Sequence, residues 1–459
     1  MIVGNGRYHF IGIGGSGMSA LAAIMLAGGA TVSGSDLRDT EESEVLRKAG
    51  ARVTVGHDEA NISDGLDGVI VSSAVASDNV EVQSAMKQQV PVVRRLHALG
   101  RMWQAGRSLG ITGTHGKTTT SAMLATILRQ AGEDPSFVIG ARCPHLGGNA
   151  YLGRGDLFVA EVDESDGVLV DLSADVAVVT NIGCDHLSTY GSIDGIVRGF
   201  SGFLDQCGLA VLNVDDDRVA DLSKRFPRHI STGIDADANV RATDIVQQEF
   251  DTWFNLWIYG ECCGNVRLRA PGVHNVRNAL CAAGGAVAAG LNARQIIEGL
   301  EVFRRPRRRF QLLEQNGIIV VDDYAHLPEE VSATLDAVRG GWPTRRVVAV
   351  FQPHRYSRTA WMGDAIGCAF QRADLVVVAP IYAAGEDPIP GVTTQWVADA
   401  IRHETNAETY SMGSADEIVP FLETTIRRGD FLISFGAGDI SRVTEQLSAD
   451  LEEALFCAA

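Results

Sequence analysis

Seven consecutive residues, Gly113-Thr114-His115-Gly116-Lys117-Thr118-Thr119, carry the clearest chemistry in the chain. Apolar residues precede them and a helix-like run follows. In that setting glycines let successive backbone N–H groups and a helix N-terminus face a polyphosphate. Lys117 can then neutralise the β/γ-phosphates, and the Thr118 hydroxyl can ligate magnesium. The longer form of this pattern has a glycine where Ile111 stands, so the alternative is a strand-to-helix turn with an incidental lysine.

A second glycine turn, Gly12-Ile13-Gly14-Gly15-Ser16-Gly17, matches G-x-G-x-x-G, and Asp36 follows at the distance from which an acid reads a ribose. A nicotinamide dinucleotide and a UDP-linked substrate both carry the pyrophosphate this geometry binds. The run Glu161-Val162-Asp163-Glu164-Ser165-Asp166 is dense in negative charge. A solvated acidic turn is its ordinary explanation, but an ATP loop needs magnesium, and hard oxygen ligands favour Glu161 as a ligand. Thr180 to His186 leaves another strand and presents a histidine. Asn275 and Asn278 open an alanine-rich segment, where helix capping is the default and contact with an adenine edge the alternative. Farther on, Asp323 and Tyr324 follow one apolar run and His354, Arg355 and Arg358 another; the arginines suit a carboxylate, with surface salt bridging as the rival account. The arginines from Arg304 to Arg309 read most simply as a solvated linker.

These residues need scaffolds that place them at strand ends, and the sequence supplies them. Short Val/Ile-rich runs alternate with Ala/Leu-rich helical segments, as in parallel α/β sheets covered on both faces. Strands are expected at residues 8–13, 30–33, 68–72 and 90–93, then at 108–112, 157–162, 176–181 and 209–213, and finally at 317–321, 346–351, 375–379 and 431–434. A helix is expected from Lys117 to Gln130, and an irregular strand-like stretch at 250–269. Most of the polar residues above fall just beyond the carboxyl ends of these strands, where open α/β sheets bind ligands. The 459 residues suit about three domains of roughly 150 residues. The expected divisions are 1–106, 107–306 and 307–459.

The net charge of -18 disfavours nucleic acid and anionic membranes as partners. No apolar run approaches the roughly 20 residues of a membrane span, and no signal-type segment opens the chain. The eight cysteines form no C-x-x-C pair, so a reducing cytoplasm is the expected location.

Taken jointly, these motifs resemble the Mur ligase family of peptidoglycan synthesis, and its alanine-adding branch in particular. The resemblance spans nearly the whole chain: HFIGIGGSGMSAL from His9, GTHGKTTT from Gly113, EVDESD from Glu161, TNIGCDHLSTY from Thr180, HNVRNA from His274, RRFQ from Arg308, DDYAH from Asp322 and FQPHRYSRT from Phe351. It implies an α/β protein of three domains: an N-terminal Rossmann-like domain for the UDP-sugar, a central P-loop ATPase-type domain, and a C-terminal Rossmann-like domain that closes over ATP and brings the amino acid. It further implies ATP and Mg2+ as cofactors, UDP-N-acetylmuramate and L-alanine as substrates, and a monomer or homodimer. Carried over by position, Lys117, Glu161 and His186 serve catalysis, and Thr118, Glu161 and His186 the metal. Gly113, Thr114, His115, Gly116, Lys117, Thr118 and Thr119 cradle ATP, with Asn275 and Asn278 at its adenine and Arg309 and Asp323 touching it from the C-terminal domain. Gly14, Gly15, Ser16, Gly17 and Met18 meet the UDP pyrophosphate, Asp36, Ser72 and Ser73 lie near the uridine, and His115 and Asn149 contact the sugar. Tyr324, His354, Arg355 and Arg358 surround L-alanine. No lysine lies between His186 and Asp205, which agrees with the alanine-adding branch. Two departures stand out: Tyr324-Ala325-His326-Leu327-Pro328, where that branch has Tyr-Gly-His-His-Pro, and Arg94-Arg95-Leu96-His97, where an arginine-acid pair is usual. A ligase recycling a preformed peptide onto the same UDP-sugar, and an NAD-dependent oxidoreductase, are the competing functions.

Overall fold

The Val/Ile-rich runs become the strands of three separate sheets. A computed structural model describes residues 6–104, 106–314 and 317–457. The first sheet holds β1 (Arg7–Ile11), β2 (Thr31–Asp36), β3 (Arg52–Val55), β4 (Gly68–Val71) and β5 (Val92–Arg94). Its order is β3-β2-β1-β4-β5 with every pair parallel. The chain steps outward from β1 in both directions, so the turn after β1 opens at the switch point where such sheets bind ligands. Three α-helices connect these strands, α1 (Ser16–Ala27), α2 (Glu41–Lys48) and α3 (Val80–Lys87), and α4 (Arg95–Trp103) leads from β5 to the next sheet. Helix α1 carries no charged residue and buries Met18, Leu21, Ile24 and Met25, which pins its N-terminus above the sheet.

Ten strands make the central sheet: β6 (Arg107–Thr112), β7 (Ser136–Cys143), β8 (Gly148–Tyr151), β9 (Leu157–Glu161), β10 (Val176–Val179), β11 (Leu209–Asn213), β12 (His229–Gly233), β13 (Val240–Gln248), β14 (Asp251–Ile258) and β15 (Glu261–Leu268). Their order is β15-β14-β13-β12-β11-β10-β6-β9-β7-β8, with β6 between β10 and β9. Helix α5 (Lys117–Gln130) is buried on every side from Thr118 to Leu128. Its four threonines are modest helix formers, so burial rather than propensity holds it. The remaining helices of this part are α6 (Leu187–Tyr190), α7 (Ile193–Asp205), α8 (Asp217–Ser223), α9 (Val273–Ala289) and α10 (Ala293–Val302). A reciprocal capping box between Asn292 and Gln295 starts α10.

The third sheet has the order β16-β17-β21-β18-β19-β20, from β16 (Gln311–Glu314), β17 (Ile319–Asp323), β18 (Val347–Phe351), β19 (Leu375–Val378), β20 (Glu408–Ser411) and β21 (Phe431–Phe435). Only the edge strand β16 is antiparallel. Helices α11 (Pro328–Gly341) and α12 (Tyr356–Met362) follow β17 and β18 directly, placing the segments at 324–328 and 352–356 at strand ends. By backbone contacts the chain forms two compact units. The first holds the N-terminal and central sheets up to Ile245 with Trp253–Leu268 and Asn275–Arg304; the second holds Val246–Thr252, Arg269–His274 and the chain from Arg305.

Two expectations change. The basic run is not simply a solvated linker: the Arg305 guanidinium lies over the rings of Phe250 and Phe310, at 5.6 and 5.3 Å, and burial lowers its pKa to about 10. Arg308 pairs with Asp322 at 3.0 Å and donates to the carbonyls of Gly436 and Gly438, so it ties the chain entering the third sheet to the loop after its last strand, β21. Helix α9 begins at Val273, so Asn275 and Asn278 lie inside it rather than capping it.

Candidate active site

The lysine turn joins β6 to α5 and is fixed by the neighbouring strand end. Gly113 has φ 131° and Gly116 φ 80°, conformations that side-chain-bearing residues avoid. Space forbids a Cβ as well: at Gly113 it would strike the Thr180 hydroxyl, and at Gly116 the Asn278 side-chain oxygen. The residues after β10 bind the turn from beneath. The N–H of Thr114 donates to the Asn181 carbonyl (3.2 Å), that of His115 to Asn181 Oδ1 (2.8 Å), and the His115 carbonyl accepts from Thr180 Oγ1 (2.6 Å) and Asn181 Nδ2 (2.9 Å). Thr114 Oγ1 accepts from the N–H of Gly183 at 2.7 Å. Thr118 and Thr119 are buried in the first turn of α5.

Lys117 Nζ donates to the carbonyls of Gly113 (2.6 Å) and Thr114 (3.1 Å) and to Glu164 Oε2 (2.8 Å). Burial works against its charge, but Glu164, Asp163 and Glu161 outweigh this and raise its pKa, so the ammonium persists. The sequence had emphasised Glu161; the structure gathers Asp163, Glu164 and His186, whose ligand atoms all lie within 4.8 Å of one another. Glu161 is the last residue of β9, and its Oε2 accepts the Gly140 N–H at 2.7 Å. The half-buried Asp163 carboxyl loses hydration, which opposes its charge, but it is held well below the usual range by Lys117, Arg95 and His186. Glu164 Oε1 is buried with no hydrogen-bond partner, 3.9 Å from His186 Nε2. An orphaned buried carboxylate oxygen beside an imidazole and a second carboxylate is a donor set that fits a divalent cation. His186 holds a left-handed conformation, φ 56°, at the start of α6, which turns its ring toward that group. Asn275 and Asn278 are buried along α9, with Asn278 against Gly116.

The glycine turn after β1 is more open. Ser35 at the end of β2 accepts, through its carbonyl, the N–H groups of Gly12 (2.9 Å) and Ile13 (3.1 Å), and Asp36 Oδ2 accepts that of Gly14 (2.9 Å). Gly15 caps α1 without a side-chain bond, leaving the Ser16, Gly17 and Met18 amides at an open helix end. Ser72 and Ser73 follow β4 beside this turn, and a Cβ at Gly12 would sit 3.1 Å from that of Ser72. From β8, Asn149 Nδ2 donates to the Ser16 carbonyl at 3.0 Å. Beneath the turn Glu81, on the first turn of α3 and fully buried, accepts from Ser35 Oγ (2.5 Å) and Asn61 Nδ2 (2.6 Å), with His9 Nε2 at 3.5 Å and His57 Nδ1 at 3.4 Å. Burial opposes ionisation of Glu81, but these partners prevail and lower its pKa to about 2.

In the second unit the amino-acid candidates form a row. The rings of Tyr324 and His326 lie 5.5 Å apart, His326 and His354 5.7 Å, and His354 and Tyr382 5.6 Å, the last pair stacked. Arg309 lies over Tyr324 at 4.7 Å, and Arg358 Nη1 meets His354 Nδ1 at 3.0 Å. Arg355, at φ 68°, is 3.7 Å from Glu386. Asp323 accepts the N–H groups of Phe310 (2.7 Å) and Ala325 (2.8 Å), and burial pushes its pKa up to about 6. The sequence reading left out Tyr382 and Glu386, which follow β19 without any motif, and did not assign Asp163 or Glu164.

Three family models match in order: the Mur ligase family catalytic domain at residues 7–107, the Mur ligase middle domain at 111–286, and the Mur ligase glutamate ligase domain at 308–438. The chain therefore belongs to the Mur ligase family. It is 42% identical over 453 residues to the UDP-N-acetylmuramate--L-alanine ligase of Geotalea daltonii, covering 98% of each chain. It is also 42% identical over 455 residues to the protein of the same name from Xanthomonas campestris pv. campestris, covering 97% of this chain and 95% of that one. Among solved structures it resembles the UDP-N-acetylmuramate-alanine ligase of Thermotoga maritima with a TM-score of 0.83 and 29% identity, covering 98% of this chain and 99% of the other. A murein peptide ligase from Psychrobacter arcticus shares the fold, with a TM-score of 0.71 and 23% identity over 97% of this chain and 99% of that one.

Proposed function

We infer that this chain is an ATP-dependent ligase that joins L-alanine to UDP-N-acetylmuramate in peptidoglycan precursor synthesis, a step on which cell shape and division depend. The observation that carries the reading is the charged Lys117 at the mouth of a glycine turn, paired with Glu164 beside an orphaned carboxylate oxygen. The relatives named for the alanine reaction, at 42% identity over nearly the full chain, favour alanine over a peptide as acceptor. An NAD-dependent oxidoreductase leaves the lysine turn without a task.

A carboxylate resists attack by an amine until its oxygen becomes a good leaving group. The lactyl carboxylate of the sugar attacks the γ-phosphate of ATP, releasing ADP and giving an acyl phosphate; the alanine amine then displaces phosphate from the acyl carbon. Lys117 exchanges its carbonyl partners for phosphate oxygens and offsets the charge spread over them, while the amides of residues 113–119 orient the chain of phosphates. Magnesium, when bound, supplies further charge compensation; Asp163, Glu164 and His186 are grouped to hold it, with Thr118 and Glu161 as the additional ligands expected from the motifs. Asn275 and Asn278 are assigned to the adenine, and Gly14 to Met18, Asp36, Ser72, Ser73, His115 and Asn149 to the UDP-sugar. Tyr324, His354, Arg355 and Arg358 are assigned to alanine, with Arg309 and Asp323 to ATP. The domain divisions near residues 106 and 307 suit this distribution of work, since the strands of the three sheets run from 7 to 94, 107 to 268 and 311 to 435. No helix among the described residues is long and apolar enough to cross a membrane, in keeping with a cytoplasmic site of action.

The decisive assay is magnesium-dependent phosphate release from ATP with UDP-N-acetylmuramate and, in turn, L-alanine, glycine, L-serine and a preformed tripeptide. Release with L-alanine is expected. Release with the tripeptide alone would transfer the chain to the recycling reaction, and none with any acceptor would end the ligase reading.

A further inference from the structure

Arg95, the first residue of α4, has no role in the reading above, although it touches both halves of the first unit. Its side chain packs on the open end of α1: a Cβ at Gly17 would collide with Arg95 Nη1, and its Cζ lies 3.1 Å from that position. Its Nη2 is 3.6 Å from Asp163 Oδ2, with only 19% of the arginine side chain and 34% of the aspartate exposed. One guanidinium therefore stands between the helix end assigned to a pyrophosphate and a carboxylate of the group suited to a cation. Asn149 reaches the same helix end, so this is where the central sheet meets the glycine turn.

We propose that Arg95 is a positioning residue that couples the two sites, shared between the sugar-nucleotide pyrophosphate and Asp163. This rests on the sugar nucleotide occupying Gly14 to Met18. A guanidinium offers five donors in a rigid plane and can serve two anions on different edges at once. With the pyrophosphate absent, Arg95 competes with a cation for Asp163. When the pyrophosphate docks at Gly17, it draws the guanidinium toward itself and leaves Asp163 freer for the cation that accompanies ATP. Linkage makes the effect mutual, so the cation and ATP strengthen sugar-nucleotide binding by the same factor.

The test is calorimetric binding of UDP-N-acetylmuramate to the full-length protein, with and without magnesium and a non-hydrolysable ATP analogue. For the wild type an affinity gain of about five- to tenfold in their presence is expected. Arg95→Gln should weaken sugar-nucleotide binding about tenfold or more and reduce the gain to about onefold, while thermal stability stays near wild type and affinity for magnesium with the analogue, measured without the sugar, rises because Arg95 no longer competes for Asp163. Arg95→Lys keeps the charge without the fork, and should retain the fold and lose more than half of the gain. If Arg95→Gln folds poorly, the lysine variant decides. A wild type that turns over alanine yet shows no gain, or a variant that keeps the full gain, would overturn the coupling and leave the ligase reading intact; a wild type without phosphate release would instead strike that reading.

Discussion

Two glycine turns, each between a strand and a helix, are built on opposite principles. The lysine turn is knitted to the segment from Thr180 to Gly183 by five hydrogen bonds that involve Thr114 and His115, and carries its own cation already paired with Glu164. The turn after β1 is held by the Ser35 carbonyl, the Asp36 carboxylate and one bond from Asn149, and contains no lysine or arginine of its own. A site that handles a transferring phosphoryl group needs fixed charges aimed in advance. A site that only holds a diphosphate needs a helix end and open amides.

If that contrast is right, Lys117→Ala should produce the largest effect, a loss of turnover of at least about a thousandfold. Sugar-nucleotide affinity measured by calorimetry should stay within about threefold, since the other turn does not use the lysine; a large loss there would merge the two sites into one. Next comes the buried support of the first turn. Glu81→Gln should cost roughly 2–3 kcal/mol of stability in a denaturant melt, because His9 and His57 lose their charged partner. The same group predicts a pH dependence. Its folded pKa of about 2 lies below the ordinary 4.5, so the unfolded chain takes up the proton first and the stabilisation, complete above about 4.5, is lost as pH falls toward 2. Acid melts of Glu81→Gln should lack that component.

Asp36→Asn tests whether one carboxylate orients the first turn. It should raise KM for the sugar nucleotide about tenfold with kcat within about twofold; a fall in kcat alone would give Asp36 a part in the chemistry. The smallest effect is expected of Thr180→Val, which removes one of several bonds under the lysine turn. KM for ATP should rise about three- to fivefold, and no change would mean that Asn181 suffices.

Much of this scaffold was legible because parallel strands buried on both faces are continuous apolar runs. The helix at Lys117–Gln130 and the strand at Leu209–Asn213 match their expected limits. Seven strands were left unread, β3, β12, β13 and β16 among them, and the other three show why. β7 is interrupted by Gly140, whose amide serves Glu161; β8 reads Gly-Asn-Ala-Tyr, with two turn-forming residues; and β20 is a four-residue edge strand of polar character. In the site, local motifs exposed the residues but not their partners. Glu161 was conspicuous at the strand end, while the grouping of Asp163 and Glu164 with His186 depends on β9 and β10 flanking β6. Tyr382 joins His354 across a bridge between separate segments, which no spacing along the chain announces.

Gly113 and Gly116 combine a left-handed backbone with an occupied space where a Cβ would begin. Every single-base change of those codons that alters the amino acid adds a side chain, so resistance to an inhibitor seated against these two amides has no tolerated route through either position. Escape would have to come from the walls around the turn, which makes its floor a durable surface for such a compound.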